Sequence, residues 1–216
     1  MDSIRITAPE VRRLVRRQLP ALRRRCAGFY EREFFGRLLD ATLAEVDAVA
    51  TVVPPLSSDS PFRFHITAAA AMFAMERGME AMGLAREEAL ERMRAMGERY
   101  YLGMPRIAGF FVRRKLFSKG YQRSLAAYAR ASSDRRPEEG DWLFSIEPGD
   151  GKTKPLVMDF TRCGIKALSE RLGRPDLCAP MCSLDFAMAK SFGYSMARTG
   201  TLGTGKAVCD FVYRRN

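Results

Sequence analysis

Four of the five cysteines of this chain fall between Asp159 and Phe211, and two of them stand where a helix is expected to begin. A thiol in a first helical turn meets unpaired backbone N–H groups and the positive end of the helix dipole, which favours the reactive thiolate. Cys163 takes such a place in a helix expected over residues 162–172, capped by Asp159 or Thr161 and stopped at Gly173. Cys182 takes it in a second helix, opened by Pro180 and ended before Gly193. At helical spacing Met181, Leu184, Met188 and Phe192 form one apolar stripe, and Asp185 falls inside it. A carboxylate turned into a core must be paired, hydrogen-bonded or protonated. Cys182 stands three residues earlier, about 60° around the helix, so thiol and carboxyl can line one site. That is the spacing of a nucleophile beside a group that moves a proton or holds a cation.

The other candidates carry less. Cys209 alternates with Phe211 and Tyr213 on one face of an expected last strand and reads as core. Asp210 points to the opposite face with Val208 and Val212, where Arg198 is its expected partner. Cys178 reads as a residue of the inter-helix loop. With Cys182 and either Cys163 or Cys209 it offers a weak zinc alternative, but no paired CxxC spacing exists, so neither metal nor cofactor is expected. His65 is the only histidine, which excludes His-rich metal centres and restricts any triad to this residue. Opening an apolar helix, it reads as a cap or core imidazole first and a catalytic base second. GDGKT and TGTGK lack P-loop spacing and a strand-to-helix setting, so nucleotide binding is not expected.

The elements that must hold these residues fall into two halves. Residues 1–132 form a helical region, with helices over 10–25 (interrupted or restarted at Pro20), 30–49, 65–82 and 85–101, and a long last segment from Pro105 to Ala131. Residues 51–61 read as a loop. The aromatics of the last helical segment, Phe110, Phe111, Phe117, Tyr121 and Tyr128, are expected in the core. After the polar break at 132–141, residues 141–216 form an α+β region. Its runs WLFSIEP and KPLVMDF make a hairpin across GDGKT, and 194–202 with 206–214 make another around Gly203–Thr204–Gly205. The order β-β-α-α-β-β predicts an α+β fold: an N-terminal helical bundle on a C-terminal antiparallel sheet of two hairpins flanking a helix pair, built as one unit.

The net charge of +11 owes much to residues 1–37, which carry ten Arg against four acids. With Val11, Leu14, Val15, Leu19 and Leu22 between the arginines, this reads as a packed helix with a solvated basic face. No zinc-finger spacing or RNP-type aromatic run accompanies it, so a nucleic-acid partner is not expected. No apolar run is long enough to span a membrane, since AAAAMFAM stops at Glu76 and Arg77. MDSIRITAPEVRR lacks the apolar core of a secretory signal, so a cytoplasmic location with reduced thiols is the expectation.

Residues 160–211 resemble the family of L-2-amino-thiazoline-4-carboxylic acid hydrolases. The resemblance rests on Phe160-Thr161-Arg162-Cys163, the Leu172-Gly173 helix end, Cys182-x-x-Asp185 with Met188-Ala189, Arg198-Thr199-x-Thr201, Gly205 and Cys209-Asp210-Phe211. More loosely it extends to residues 62–82 and Glu87-Glu88-Ala89. It implies a hydrolase that opens a small cyclic amidine, a five-membered ring holding sulfur, to a carbamoyl cysteine, or that acts on a related nitrogen heterocycle in small-molecule biosynthesis. Under it Cys182 or Cys163 would be the nucleophile, Asp185 would bind the amidinium, and Arg198 the substrate carboxylate. Thr199, Asp210 and His65 complete the expected substrate contacts. The closing hairpin also resembles small-molecule sensor domains of the 4-vinyl-reductase type, which would make the cleft a binding site without catalysis. The oligomeric state is left open.

Overall fold

Amphipathic periodicity becomes helix through the first two-thirds of the chain. The structure, a computed structural model, describes residues 2–216. Helix α1 (Ala8–Arg25) buries Val11, Leu14, Val15, Leu19 and Leu22 and turns Arg13, Arg16, Arg17, Arg23 and Arg24 to solvent. Thr7 caps it in a reciprocal box with Glu10, whose carboxylate reaches the Thr7 backbone N–H. Pro20 does not interrupt α1 as expected. It sits on the exposed face, where the carbonyl it leaves without a helical partner can turn to water. Helices α2 (Arg32–Val52), α3 (Arg63–Ala81) and α4 (Arg86–Leu102) follow. Inside the expected loop, strand β2 (Leu56–Ser57) pairs with β1 (Ser3–Ile4) in a small antiparallel ribbon.

The long segment after Pro105 divides into α5 (Arg106–Leu116) and α6 (Lys119–Asp134). The break falls at Ser118, whose Oγ accepts from the Tyr121 N–H and caps α6. This changes the fate of the aromatics. Phe117 and Tyr128 are buried, whereas Phe110 and Phe111 keep 45% and 61% of their surface. The expectation that all five enter the core is therefore corrected.

The C-terminal region is α+β as expected. Strands β3 (Leu143–Glu147) and β4 (Leu156–Arg162) form the first hairpin, and β5 (Tyr194–Ala197) pairs with β6 (Cys209–Arg215) in the second. Antiparallel pairing of β4 with β6 joins them in the order β3-β4-β6-β5, with Phe160 opposite Cys209 and Met158 opposite Phe211. Between β4 and β5 run α7 (Gly164–Arg171), a short 3₁₀ turn at Pro175–Leu177, and α8 (Cys178–Phe192). Thr161 and Asp159 lie in β4, so neither caps α7; Cys163 does that by position. One set of packed apolar side chains runs from Ile6 to Phe211 and joins the helical bundle to the sheet.

Candidate active site

Helix α8 carries Cys178, Cys182 and Asp185, and the chain just before it is held from outside the helix. Arg174, just before the 3₁₀ turn, is buried among three carboxylates. Its Nη2 donates to Glu76 Oε1 at 2.7 Å and Asp176 Oδ2 at 2.9 Å, and Nη1 reaches Glu80 Oε1 at 3.2 Å. Glu76 is fully buried on α3, and burial pushes its carboxyl above the ordinary range. This network fixes the entry of α8 against α3. Further along, α4 can approach α8 closely because position 97 is glycine: a Cβ there would lie 2.8 Å from the Leu184 Cδ1.

Helix α8 begins at Cys178, two residues before the expected Pro180, so Cys178 is not a loop residue. Proline in the first turn gives up no helical hydrogen bond, and the helix extends past it. Cys178 and Cys182 are then one turn apart on one face. Both sulfurs press against the loop that follows β5. A Cβ on Gly203 would stand 2.9 Å from the Cys178 Sγ and 3.1 Å from the Cys182 Sγ, so only glycine lets the loop close over the two thiols. With both sulfurs against Gly203, the Cys178 thiol and the Thr201 hydroxyl are placed to donate toward the Cys182 sulfur, and this draws Cys182 below the ordinary thiol range. The same contact, together with burial, drives Cys178 up, leaving it the protonated donor of the pair.

Cys163 and Cys209 adjoin this pair without sharing its state. Cys163 stands at the N-cap of α7 and faces the backbone N–H groups of Ile165 and Lys166. Burial outweighs them and pushes its thiol up to about 12, so the expected thiolate at this position is corrected. Cys209 is buried, as a core reading requires; its Sγ accepts the Leu202 N–H at 3.1 Å, yet burial holds its thiol above the ordinary range. Among the described residues no group of three or more His, Cys, Asp or Glu is arranged to hold a metal ion.

Asp185 does turn inward, and its partner is Arg198. Arg198 Nη1 donates to Asp185 Oδ2 at 2.6 Å, while Nη2 donates to the Cys182 carbonyl at 2.5 Å. The guanidinium also lies 4.7 Å from the Phe186 ring and 5.1 Å from the Phe211 ring. The Asp185 side chain keeps 30% of its surface, yet the atoms packed around it raise its carboxyl from 3.8 to about 6 against the pull of Arg198. Tyr101, Tyr194 and Tyr213 stand close enough to feel its charge. Burial pushes Tyr101 up to about 12 and the other two upward as well.

The expected pair Arg198–Asp210 does not form. Strand β5 ends at Ala197, so strand alternation no longer governs the direction of Arg198. Asp210 instead accepts the Thr199 hydroxyl at 2.8 Å and the backbone N–H groups of Thr199 and Gly200 at 3.0 and 3.2 Å, which hold its carboxyl low. Asp210 and Thr199 thus shape the loop that covers the thiols. His65 is on α3, with its ring 5.6 Å from Phe62 and 6.1 Å from Phe64, and makes no hydrogen bond to the cysteines among the described residues. A cleft of about 280 Å³ opens beside this assembly, lined by Cys163, Lys166, Arg162, Glu139 and Leu202 among others.

The place of Gly203 against the sulfurs and the tyrosines around Asp185 escaped the sequence reading, and Cys178 reads from sequence as a loop residue or zinc ligand rather than as the helical neighbour of Cys182. The i, i+4 spacing of Cys178 and Cys182 was a usable signal for that pairing. Tyr194 and Tyr213 come from the paired strands β5 and β6, while Tyr101 comes from α4, far along the chain, and no local pattern joins it to them.

A family model described as L-2-amino-thiazoline-4-carboxylic acid hydrolase matches residues 63–213, well over half of the chain. No curated protein and no solved structure matches. The chain belongs to the L-2-amino-thiazoline-4-carboxylic acid hydrolase family.

Proposed function

We propose that this member of the family is a thiol-dependent hydrolase of a small cyclic amidine, with Cys182 as nucleophile and Asp185 as the proton-transferring group. The observation that carries the reading is geometric: Arg198 joins the Asp185 carboxylate at 2.6 Å to the Cys182 carbonyl at 2.5 Å on one face of α8, with the Cys182 sulfur packed against Gly203 and drawn below the ordinary thiol range. A thiolate is the competent nucleophile for an electron-poor amidine carbon. Its addition forms a C–S bond at that carbon. The ring C–N bond then breaks, and the departing nitrogen takes the proton of neutral Asp185. Water attacks the same carbon, gives a proton to the Asp185 carboxylate and expels the Cys182 sulfur, which leaves a carbamoyl product. Arg198 keeps Asp185 oriented through the ion pair and braces the Cys182 carbonyl.

Because Arg198 is engaged in this way and Lys166 is paired with Glu170, a substrate carboxylate is assigned to Arg162 on the cleft beside Cys163. Thr199 and Asp210 act by shaping the loop, and His65 is left outside the reaction. Turnover of 2-amino-thiazoline-4-carboxylate and related cyclic amidines by Cys182→Ser tests the reading. The variant should fold normally and lose at least about a thousandfold in kcat. Activity within a few fold of the parent would refute the assignment of Cys182.

A further inference from the structure

Helix α5 presents a surface that the site does not use. Its inner side is fixed to α8. Gly109 allows contact so close that a Cβ would lie 2.8 Å from the Ser191 carbonyl oxygen, and Arg113 Nη1 donates to the Gly193 carbonyl at 2.9 Å. The outer side carries Ile107, Phe110 and Phe111, which keep 63%, 45% and 61% of their surface, with Arg114 and Lys115 exposed among them. By helical angle these five side chains occupy one arc of about 140°. Large apolar side chains grouped on one exposed helix face are a surface for contact rather than ordinary surface composition.

Charge identifies the contact. Helix α5 holds Arg106, Arg113, Arg114 and Lys115 and no Asp or Glu, and Arg106, Arg114 and Lys115 are exposed. Phenylalanines interleaved with cations on one face match the boundary of an anionic bilayer, where rings enter the acyl region and cations meet headgroups. A second copy of this chain fits poorly, since a two-fold contact would set Arg114 and Lys115 against their own kind. At 11 residues α5 is far too short to span a membrane, and no helix among the described residues is long and apolar enough to do so.

We propose that α5 seats the protein on a bilayer bearing anionic headgroups, lying in the plane of the surface. The test is co-sedimentation of the full chain with vesicles of phosphatidylcholine alone or mixed with phosphatidylserine, across a salt series. Binding should require phosphatidylserine and fade as salt rises. The surface variants F110S/F111S and R114E/K115E should each weaken it at least about tenfold, with unchanged thermal unfolding. Absence of binding to phosphatidylserine vesicles would overturn the proposal, as would full binding by both variants. A dimer in solution abolished by F110S/F111S, without vesicle binding, would give the face to a second copy and overturn it equally.

Discussion

Two buried arginines flank helix α8, and they are used in opposite ways. Arg174 is surrounded by Glu76, Glu80 and Asp176, so its charge is matched in excess and its donors are taken. Arg198 meets one carboxylate, spends its other terminal nitrogen on a backbone carbonyl, and leaves Asp185 titrating near 6. The first arrangement locks a chain segment in place. The second leaves a carboxyl able to take and release a proton near neutral pH, next to a sulfur drawn toward the thiolate. A buried ion pair alone does not mark a site; what matters is whether its members can still change state.

Removing each arginine separates the two uses. Arg174→Met strands three carboxylates together, and unfolding in denaturant should show a loss of about 3–5 kcal/mol. Arg198→Met strands only Asp185, which can protonate, so its loss should be less than half as large while turnover collapses. Equal stability losses would mean that the two arginines serve the fold alike. Folding raises the Asp185 pKa from 3.8 to about 6, so the folded state binds the extra proton and this group's contribution to stability declines as pH rises through that window.

A smaller effect probes the sulfur side. Cys178→Ala removes the donor to the Cys182 sulfur, a hydrogen bond to a charged group worth about 1.5–3 kcal/mol. The pH midpoint for alkylation of Cys182 should then move from about 7 toward the ordinary thiol value, read as rate against pH with a small haloacetamide. An unmoved midpoint would mean that Cys178 does not activate its neighbour.

The sequence disclosed the helix pair, both hairpins and the inward turn of Asp185, because each is written in periodicity over a few residues. It was silent where a boundary or a distant partner decides the outcome. Starting α8 at Pro180 put Cys178 in a loop, since a first-turn proline marks a helix start only to within a residue or two. Arg198 follows the last residue of β5, so its direction depends on a loop that Asp210 folds. Phe110 and Phe111 look like core by type, and only the attachment of α5 through Gly109 turns them outward.

The proposed hydrolysis requires Cys182 to act as a thiolate while Asp185 holds a proton, and the pH profile of kcat/KM for a cyclic amidine tests this most directly. The parent should give a bell with limbs near 6 and 7. Asp185→Asn should lower the rate by about 10²–10⁴-fold and abolish the decline at high pH, leaving one ascending limb. A bell retained in Asp185→Asn, at a rate close to the parent's, would contradict it.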